Sequence, residues 1–326
     1  MSAKAQLRVS GAVMPDEVAQ FQENGFVILK GLLRSDQMTR LKGAMRTALE
    51  TFENSAQGYD VTELAEQLFG EGDKPTKMHQ TDKRFQALSS AVKSSSMPRL
   101  TDKETKGQPK GHFLVDTGVW RRVPALADFA LYSELPQVAA ALLGVDSVRY
   151  YDDQIFIKEP GAADRAAFHQ DLPYFNLDGD RGCVFWIPLD TVRRGSGAMG
   201  YVPGSHRWGD KYNPNIFMSR TALPGSQGED LPDVDSNPEA FNVVYADVDP
   251  GDVVVHHFLT VHGSEGNTGS TIRRAFSLRY CDAELRYHKR PGAPSQPLHR
   301  LGTQEGDRLD DTFHPQVWPR RKVEAA

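Results

Sequence analysis

Cysteine is nearly absent. The chain has two in 326 residues, Cys183 and Cys281. That count excludes a disulfide framework and a cysteine-rich zinc site, and it suits a reducing compartment. Also missing is any run of 18 apolar residues, which a membrane-spanning helix requires. The opening Met1-Ser2-Ala3-Lys4-Ala5-Gln6 has no apolar stretch of the secretory type, and the closing Val323-Glu324-Ala325-Ala326 is not a Ser-Lys-Leu peroxisomal address. There is no basic excess: 38 Lys and Arg against 43 Asp and Glu give a net charge of −5, which is not the footprint of a nucleic-acid binder. No internal repeat is visible. These absences leave a soluble cytoplasmic protein as the default, with neither membrane nor nucleic acid as partner. The 39% hydrophobic content is ordinary for a chain with a sizeable core.

The order of local patterns gives the architecture. Pro15 to Phe21 has proline and acids in a first helical turn. Gly25 to Gly31 encloses an apolar run that reads as a strand. Ser35-Asp36-Gln37 starts a helix that reaches about Phe52. Residues 53–123 are polar, with a helix at Val61 to Leu68 and Ser-, Lys- and Gly-rich stretches at 91–111. A loop of that length suits a lid over a site. Pro124 to Leu143 reads as two helices broken at Pro136, with Gly144 as the C-cap. From Ser147 the pattern turns to strands: 148–151, 153–158, 168–171, 183–189, 199–202, 243–246, 252–258 and 273–280. Many short strands with turn signals between them indicate a mainly β fold, a sandwich or jelly-roll barrel. A single domain over 1–326 is expected, with a mostly helical part at 1–146, the jelly-roll core at 147–282 and a surface-wrapping extension at 283–326.

Chemistry concentrates at Phe168-His169-Gln170-Asp171. On an extended strand His169 and Asp171 point to the same face, so an imidazole and a carboxylate can converge on one ion. One more histidine completes a 2-His-1-carboxylate face, which suits Fe(II) because the opposite coordination positions stay open. His256, His257 and His262 compete for that place. His256 and His257 lie within an apolar strand, where a hydrogen-bonded core imidazole is the plainer explanation. His262 follows the strand, where Gly263 permits a sharp chain turn at the barrel end, and His257 is second choice. Further on stand Arg273-Arg274. Alternation sends one inward and one outward, and an inward arginine needs an anionic partner.

His169-Gln170-Asp171-Leu172-Pro173-Tyr174-Phe175, Phe185-Trp186-Ile187-Pro188-Leu189-Asp190, Gly197, Val202-Pro203-Gly204-Ser205-His206, Pro250-Gly251-Asp252 and His262-Gly263-Ser264…Asn267…Arg273 together resemble the phytanoyl-CoA dioxygenase family. The blocks run in the family's order over about residues 147–282, and Phe21 to Leu33 is similar to its N-terminus. The resemblance implies a double-stranded β-helix and a non-haem Fe(II)- and 2-oxoglutarate-dependent dioxygenase that hydroxylates a small molecule with O2, releasing succinate and CO2. It implies iron ligation by His169, Asp171 and His262, and cosubstrate binding by Arg273, Ser264, Gln170 and Trp186. Gln154, Phe156 and Tyr174 are the candidate substrate contacts, and His206 reads as structural. Halogenating relatives replace the carboxylate with a small residue; Asp171 is present, which favours hydroxylation, with desaturation or ring chemistry next. Two rival readings are a non-catalytic binding protein on the same barrel and a cupin-like metal enzyme that does not use O2.

Overall fold

The computed structural model describes residues 13–52, 55, 57–69, 111–294 and 302–320. The stretches at 91–98 and 101–110 read above as part of a lid lie outside the described residues. In chain order the elements are α1 (Pro15–Asn24), β1 (Phe26–Leu29), α2 (Ser35–Glu50), β2 (Tyr59–Asp60), α3 (Val61–Phe69), β3 (Phe113–Thr117), α4 (Pro124–Tyr132) and α5 (Leu135–Leu143). They are followed by β4 (Val148–Lys158), β5 (Ala166–His169), β6 (Gly182–Pro188), β7 (Met199–Tyr201), β8 (Val244–Tyr245), β9 (Val253–His257), β10 (His262–Ser264), β11 (Arg273–Asp282) and β12 (Gln316–Trp318).

Two sheets form the core. The large one has the order β1-β9-β6-β11-β4-β3-β2, with β12 also on β4; the small one is β5-β10-β7-β8. Every strand pairing is antiparallel, as a jelly roll requires. Strand alternation divides the large sheet into two faces. One face carries Ile155, Ile157, Phe185, Ile187, Val253, Val255, Phe276 and Leu278, packed in one cluster with Phe21, Leu41, Met45, Leu126, Val138 and Leu142 of the helices. The other face looks toward the small sheet and holds the candidate site.

Three expectations need correction. The segments 148–151 and 153–158 are one strand, β4; the irregularity between them is a register shift opposite Arg279 and Tyr280 of β11. The tail after Glu284 does more than wrap the surface, because β12 adds to β4 and buries Val317. Gly263 does not make a turn. It lies inside β10, where a Cβ would come within 2.9 Å of the Ala166 carbonyl oxygen, so its absence lets β10 close on β5. The helix break near Pro136 is as expected, and Gly144 ends α5 with φ 66°.

Candidate metal and cosubstrate site

His262 of β10 lies directly across from His169 of β5 in the small sheet. Asp171 is not on the strand. β5 ends at His169, and Asp171 opens a short 3-10 turn, Leu172–Tyr174, with φ −77° and ψ −39°. His169 and Asp171 therefore do not share one face of an extended strand. A turn brings the carboxylate round instead, held because the Asp171 and Leu172 amides both donate to the Phe258 carbonyl, at 2.9 and 3.0 Å.

The three side chains converge. One ligand atom from each of His169, Asp171 and His262 falls within 4.8 Å of the other two. Both imidazoles have Nδ1 on a local carbonyl, His169 on Ala167 at 2.7 Å and His262 on Thr260 at 2.8 Å. With Nδ1 donating, each Nε2 keeps its lone pair and faces Asp171, at 3.7 and 3.8 Å from its carboxylate oxygens. This is the outer-shell device that fixes tautomer and ring orientation in metal-ligating histidines. Burial, reinforced by the neighbouring imidazole, lowers the pKa of His169 and of His262 to about 4, which keeps both neutral. Asp171 is held well below the usual carboxylate range: burial opposes this, but His262, a hydrogen bond from His256 and the Arg279 guanidinium outweigh it. The set is two neutral nitrogens and one carboxylate, buried and on one side, which matches a facial triad for Fe(II).

His256 is not a member of the triad. It faces inward from β9, and its Nε2 lies 3.2 Å from Asp171 Oδ2, so it holds the carboxylate. His257 points the other way, against Phe21 and His206. His206 itself bonds the Gln22 carbonyl, a structural contact.

The triad opens on a cavity between the two sheets. Arg273 lines it, 2% exposed, with Nε and Nη1 lacking any hydrogen-bond partner. Its strand neighbour Arg274 faces away and binds Asp190 with Nε at 2.9 Å and Nη2 at 2.6 Å. One arginine thus points inward and one outward, as alternation requires. Burial lowers the Arg273 pKa to about 10, so it stays cationic at neutral pH. A buried guanidinium with idle donors fits a carboxylate brought by a ligand. Gly197 makes the space: a Cβ there would sit 3.1 Å from Arg273 Nε and 3.2 Å from Lys158 Cδ.

Lys158 completes this end of the cavity. It is fully buried, and its Nζ donates to Ser264 Oγ at 2.9 Å and to the Glu265 carbonyl at 2.5 Å. An ammonium only donates, so Ser264 accepts from it and keeps its own hydroxyl proton for another acceptor. Burial first, then Arg273, pushes the Lys158 pKa well down. Trp186 lies under the Arg273 guanidinium, 5.6 Å from its ring centroid.

Of the residues singled out in the sequence, His169, Asp171, His262, Ser264, Arg273, Trp186, Gln154 and Phe156 line one cavity. Gln170 and Tyr174 are not brought to it. Gln170 lies between two ligands and so points oppositely, donating to the Leu259 carbonyl at 2.8 Å. The Tyr174 hydroxyl donates to Asn215 Oδ1 at 2.7 Å, and its ring packs edge-on against His169. Lys158 and Arg279 were missed as site residues, although period-2 alternation from Phe156 and from Arg273 reaches both. Phe217 comes from an irregular loop, which gives no periodic signal.

The family model for phytanoyl-CoA dioxygenase (PhyH) matches residues 21–275. The chain belongs to that family. A phytanoyl-CoA dioxygenase of Arabidopsis thaliana is 23% identical over 286 residues, covering 85% of this chain and 91% of the relative. The carbocyclase SnoK of nogalamycin biosynthesis, described as non-heme and alpha ketoglutarate dependent, superposes with a TM-score of 0.63 at 23% identity, covering 95% of this chain and 98% of that one. The epimerase SnoN, in complex with Fe3+, alpha ketoglutarate and nogalamycin RO, gives 0.60 at 18% identity, covering 93% and 97%. At these identities the two structures establish the shared jelly-roll fold. Family membership and the His-Asp-His triad together make this chain an Fe(II)- and 2-oxoglutarate-dependent oxygenase.

Proposed function

We propose that this oxygenase hydroxylates a C–H bond of a small molecule, converting 2-oxoglutarate and O2 to succinate and CO2. The observation that carries this reading is one cavity lined by both the triad and a buried arginine whose Nε and Nη1 have no partner. In it, His169, Asp171 and His262 hold the metal. Arg273 grips the distal carboxylate of 2-oxoglutarate through two parallel N–H donors. Ser264 gives that carboxylate its hydroxyl proton as a third bond, which Lys158 secures by occupying the hydroxyl's acceptor side. His256 keeps Asp171 from turning away. Phe113, Phe156, Met199 and Phe217 wall the cavity and exclude water from the reacting centre. Fe(II) and 2-oxoglutarate, when bound, supply with O2 the oxidising chemistry that cuts the C–H bond.

Hydrogen removal without transfer of a hydroxyl would lead instead to ring closure or inversion at carbon, the outcomes attributed to the carbocyclase and the epimerase. A carboxylate stands at Asp171 in the ligand set, and this supports hydroxylation over halogenation. A small-molecule partner, rather than nucleic acid, fits the acidic net charge. Two buried free cysteines fit a reducing, cytoplasmic setting. Among the described residues no helix is long and apolar enough to cross a membrane.

The test is anaerobic titration of Fe(II) and then 2-oxoglutarate, followed through the weak visible charge-transfer band of the chelated metal. We expect the band in the wild type and its loss in His169→Ala. Absence of the band, or equal bands in both proteins, would reject the reading and leave a binding protein or an O2-independent metal enzyme.

A further inference from the structure

The register of the large sheet maps the cavity in rows. Arg273 pairs with Lys158. Ser277 pairs with Gln154 on one side and Trp186 on the other. Arg279 pairs with Val184, which pairs with His256, and His256 bonds Asp171. Arg273 and Arg279 therefore face the cavity from one strand, six residues apart. At about 3.3 Å per residue their Cα atoms are roughly 20 Å apart, and the Arg279 fork reaches back to Gln154, in the Ser277 row. Arg273 stands at the cosubstrate end, and Arg279 stands at the level of the metal ligands.

Arg279 is built in rather than solvated. It is 5% exposed and lines the cavity. Its Nη2 donates to Gln154 Oε1, while Gln154 Nε2 donates to Thr117 Oγ1 at 3.1 Å, so the amide is fixed and aims the fork. Its Nε is sealed from solvent with no partner, and the guanidinium lies over the Phe175 ring at 5.4 Å. Asp171, Asp152 and Asp153 all feel its charge, but among the described residues no carboxylate forms an ion pair with Arg279. Its buried Nε donor therefore stays unused, which is costly unless a ligand supplies an acceptor.

We propose that Arg279, aimed by Gln154, anchors a carboxylate of the substrate, so that the enzyme takes a carboxylic acid whose acid group lies close to the carbon that is oxidised. This rests on the oxygenase reading above. It separates a free acid from an acyl thioester, which has no negative charge at the equivalent carbonyl. The carboxylate would accept two N–H bonds from the guanidinium, and the rest of the molecule would lie along Phe156, Phe217 and Phe113.

The test uses protein loaded with Mn(II), which does not turn over, at saturating 2-oxoglutarate so that the Arg273 end is filled. Short-, medium- and long-chain aliphatic and aromatic monocarboxylic acids are titrated, each beside its primary carboxamide, with binding followed by calorimetry. In the wild type at least one acid should bind about tenfold or more tightly than its amide, the worth of a hydrogen bond to a charged group. In Arg279→Gln that preference should fall to within about twofold, while 2-oxoglutarate affinity changes by less than about twofold. If Arg279→Gln does not fold, Gln154→Leu serves in its place, with an expected loss of about threefold or more in the preference. No acid preferred over its amide, a preference that survives both variants, or a tenfold loss of 2-oxoglutarate affinity in Arg279→Gln would each overturn the assignment. The Fe(II) charge-transfer band of the wild type is recorded first. Its absence overturns the oxygenase reading itself, whereas a band with no acid preference overturns only the role given to Arg279.

Discussion

The two faces of the large sheet are made by the same strands and differ in every respect that matters for function. On β11, Phe276, Leu278 and Tyr280 pack on the helices, while Arg273, Ser277 and Arg279 look into the cavity. On β4, Ile155 and Ile157 face the helices, while Gln154, Phe156 and Lys158 face inward. One face is held together by apolar burial, which is non-directional and gains with area. The other carries buried cations and imidazoles, which cost free energy unless something pairs with them. The helix-side face stabilises the barrel, and the cavity-side face uses part of that stability to keep groups desolvated until ligands arrive. Natural proteins depart from locally consistent patterning at functional sites in this way.

The sharpest break in the comparison is Asp171→Ala. It removes the one carboxylate of the ligand set, and we expect loss of stoichiometric Fe(II) binding, measured by metal analysis after gel filtration, with far-ultraviolet circular dichroism unchanged. On the opposite face, Phe276→Ala should cost about 3–5 kcal/mol of stability through lost contacts and a cavity, read by urea denaturation. The fraction that remains folded should bind 2-oxoglutarate as the wild type does. A variant of one face that produced the other face's defect would show that the two are not separable.

The helix-side face was the more legible in the sequence, and for a physical reason. Apolar periodicity and glycine or proline punctuation are local signals, so α1, α2, α4, α5 and most strands fall where the pattern puts them. The cavity face was legible only in part. His169, Asp171, His262 and Arg273 came from a motif set in family order, and the alternation of Arg273 and Arg274 followed from strand geometry. The turn that carries Asp171 was not legible, because its geometry depends on the Phe258 carbonyl from a distant loop. The same holds for β12, a strand of three residues whose signal is weaker than its pairing. Gln170 was misplaced because family position was followed where side-chain alternation pointed the other way.

A smaller effect is expected at Arg273. Arg273→Ala should weaken 2-oxoglutarate binding by about 1.5–3 kcal/mol, the range for a hydrogen bond to a charged group, read from the charge-transfer titration. Removing a buried cation that lacks a protein partner also lifts a cost in the ligand-free state, so the same variant should be no less stable than the wild type, and its melting temperature checks this. A loss of stability would mean that Arg273 is paired within the protein.

The comparison also predicts how the metal-free protein responds to acid. His169 and His262 have folded pKa values near 4, below the ordinary histidine value of about 6.5. Between those limits the unfolded chain takes up protons that the folded chain refuses, so stability falls as pH falls from about 6.5 toward 4 and levels off below. The slope is at most about 1.4 kcal/mol per pH unit for each histidine. Urea midpoints of the metal-free wild type and of His169→Gln across that window measure it, and the variant should lose one histidine's share.

The smallest effect is expected at Lys158, where the two faces meet in one residue: the side chain is fully buried like a core residue, yet ends in a charge. Lys158→Met keeps the length and the apolar stem over Phe113, which now lies 4.3 Å from Nζ, and removes the ammonium. Ser264 then loses the donor that fixes it as an acceptor, and its hydroxyl is free to turn toward the Glu265 carbonyl instead of the cosubstrate. We expect 2-oxoglutarate affinity to drop by about 0.5–1.5 kcal/mol, the worth of one ordinary hydrogen bond. Stability should be equal or higher, because replacing a buried charge by an apolar side chain of similar shape removes a desolvation cost. Ser264→Ala should produce the same loss, and the double variant should lose little more than either single one, since both act through one hydroxyl. Additive losses would show that Lys158 reaches the cosubstrate directly.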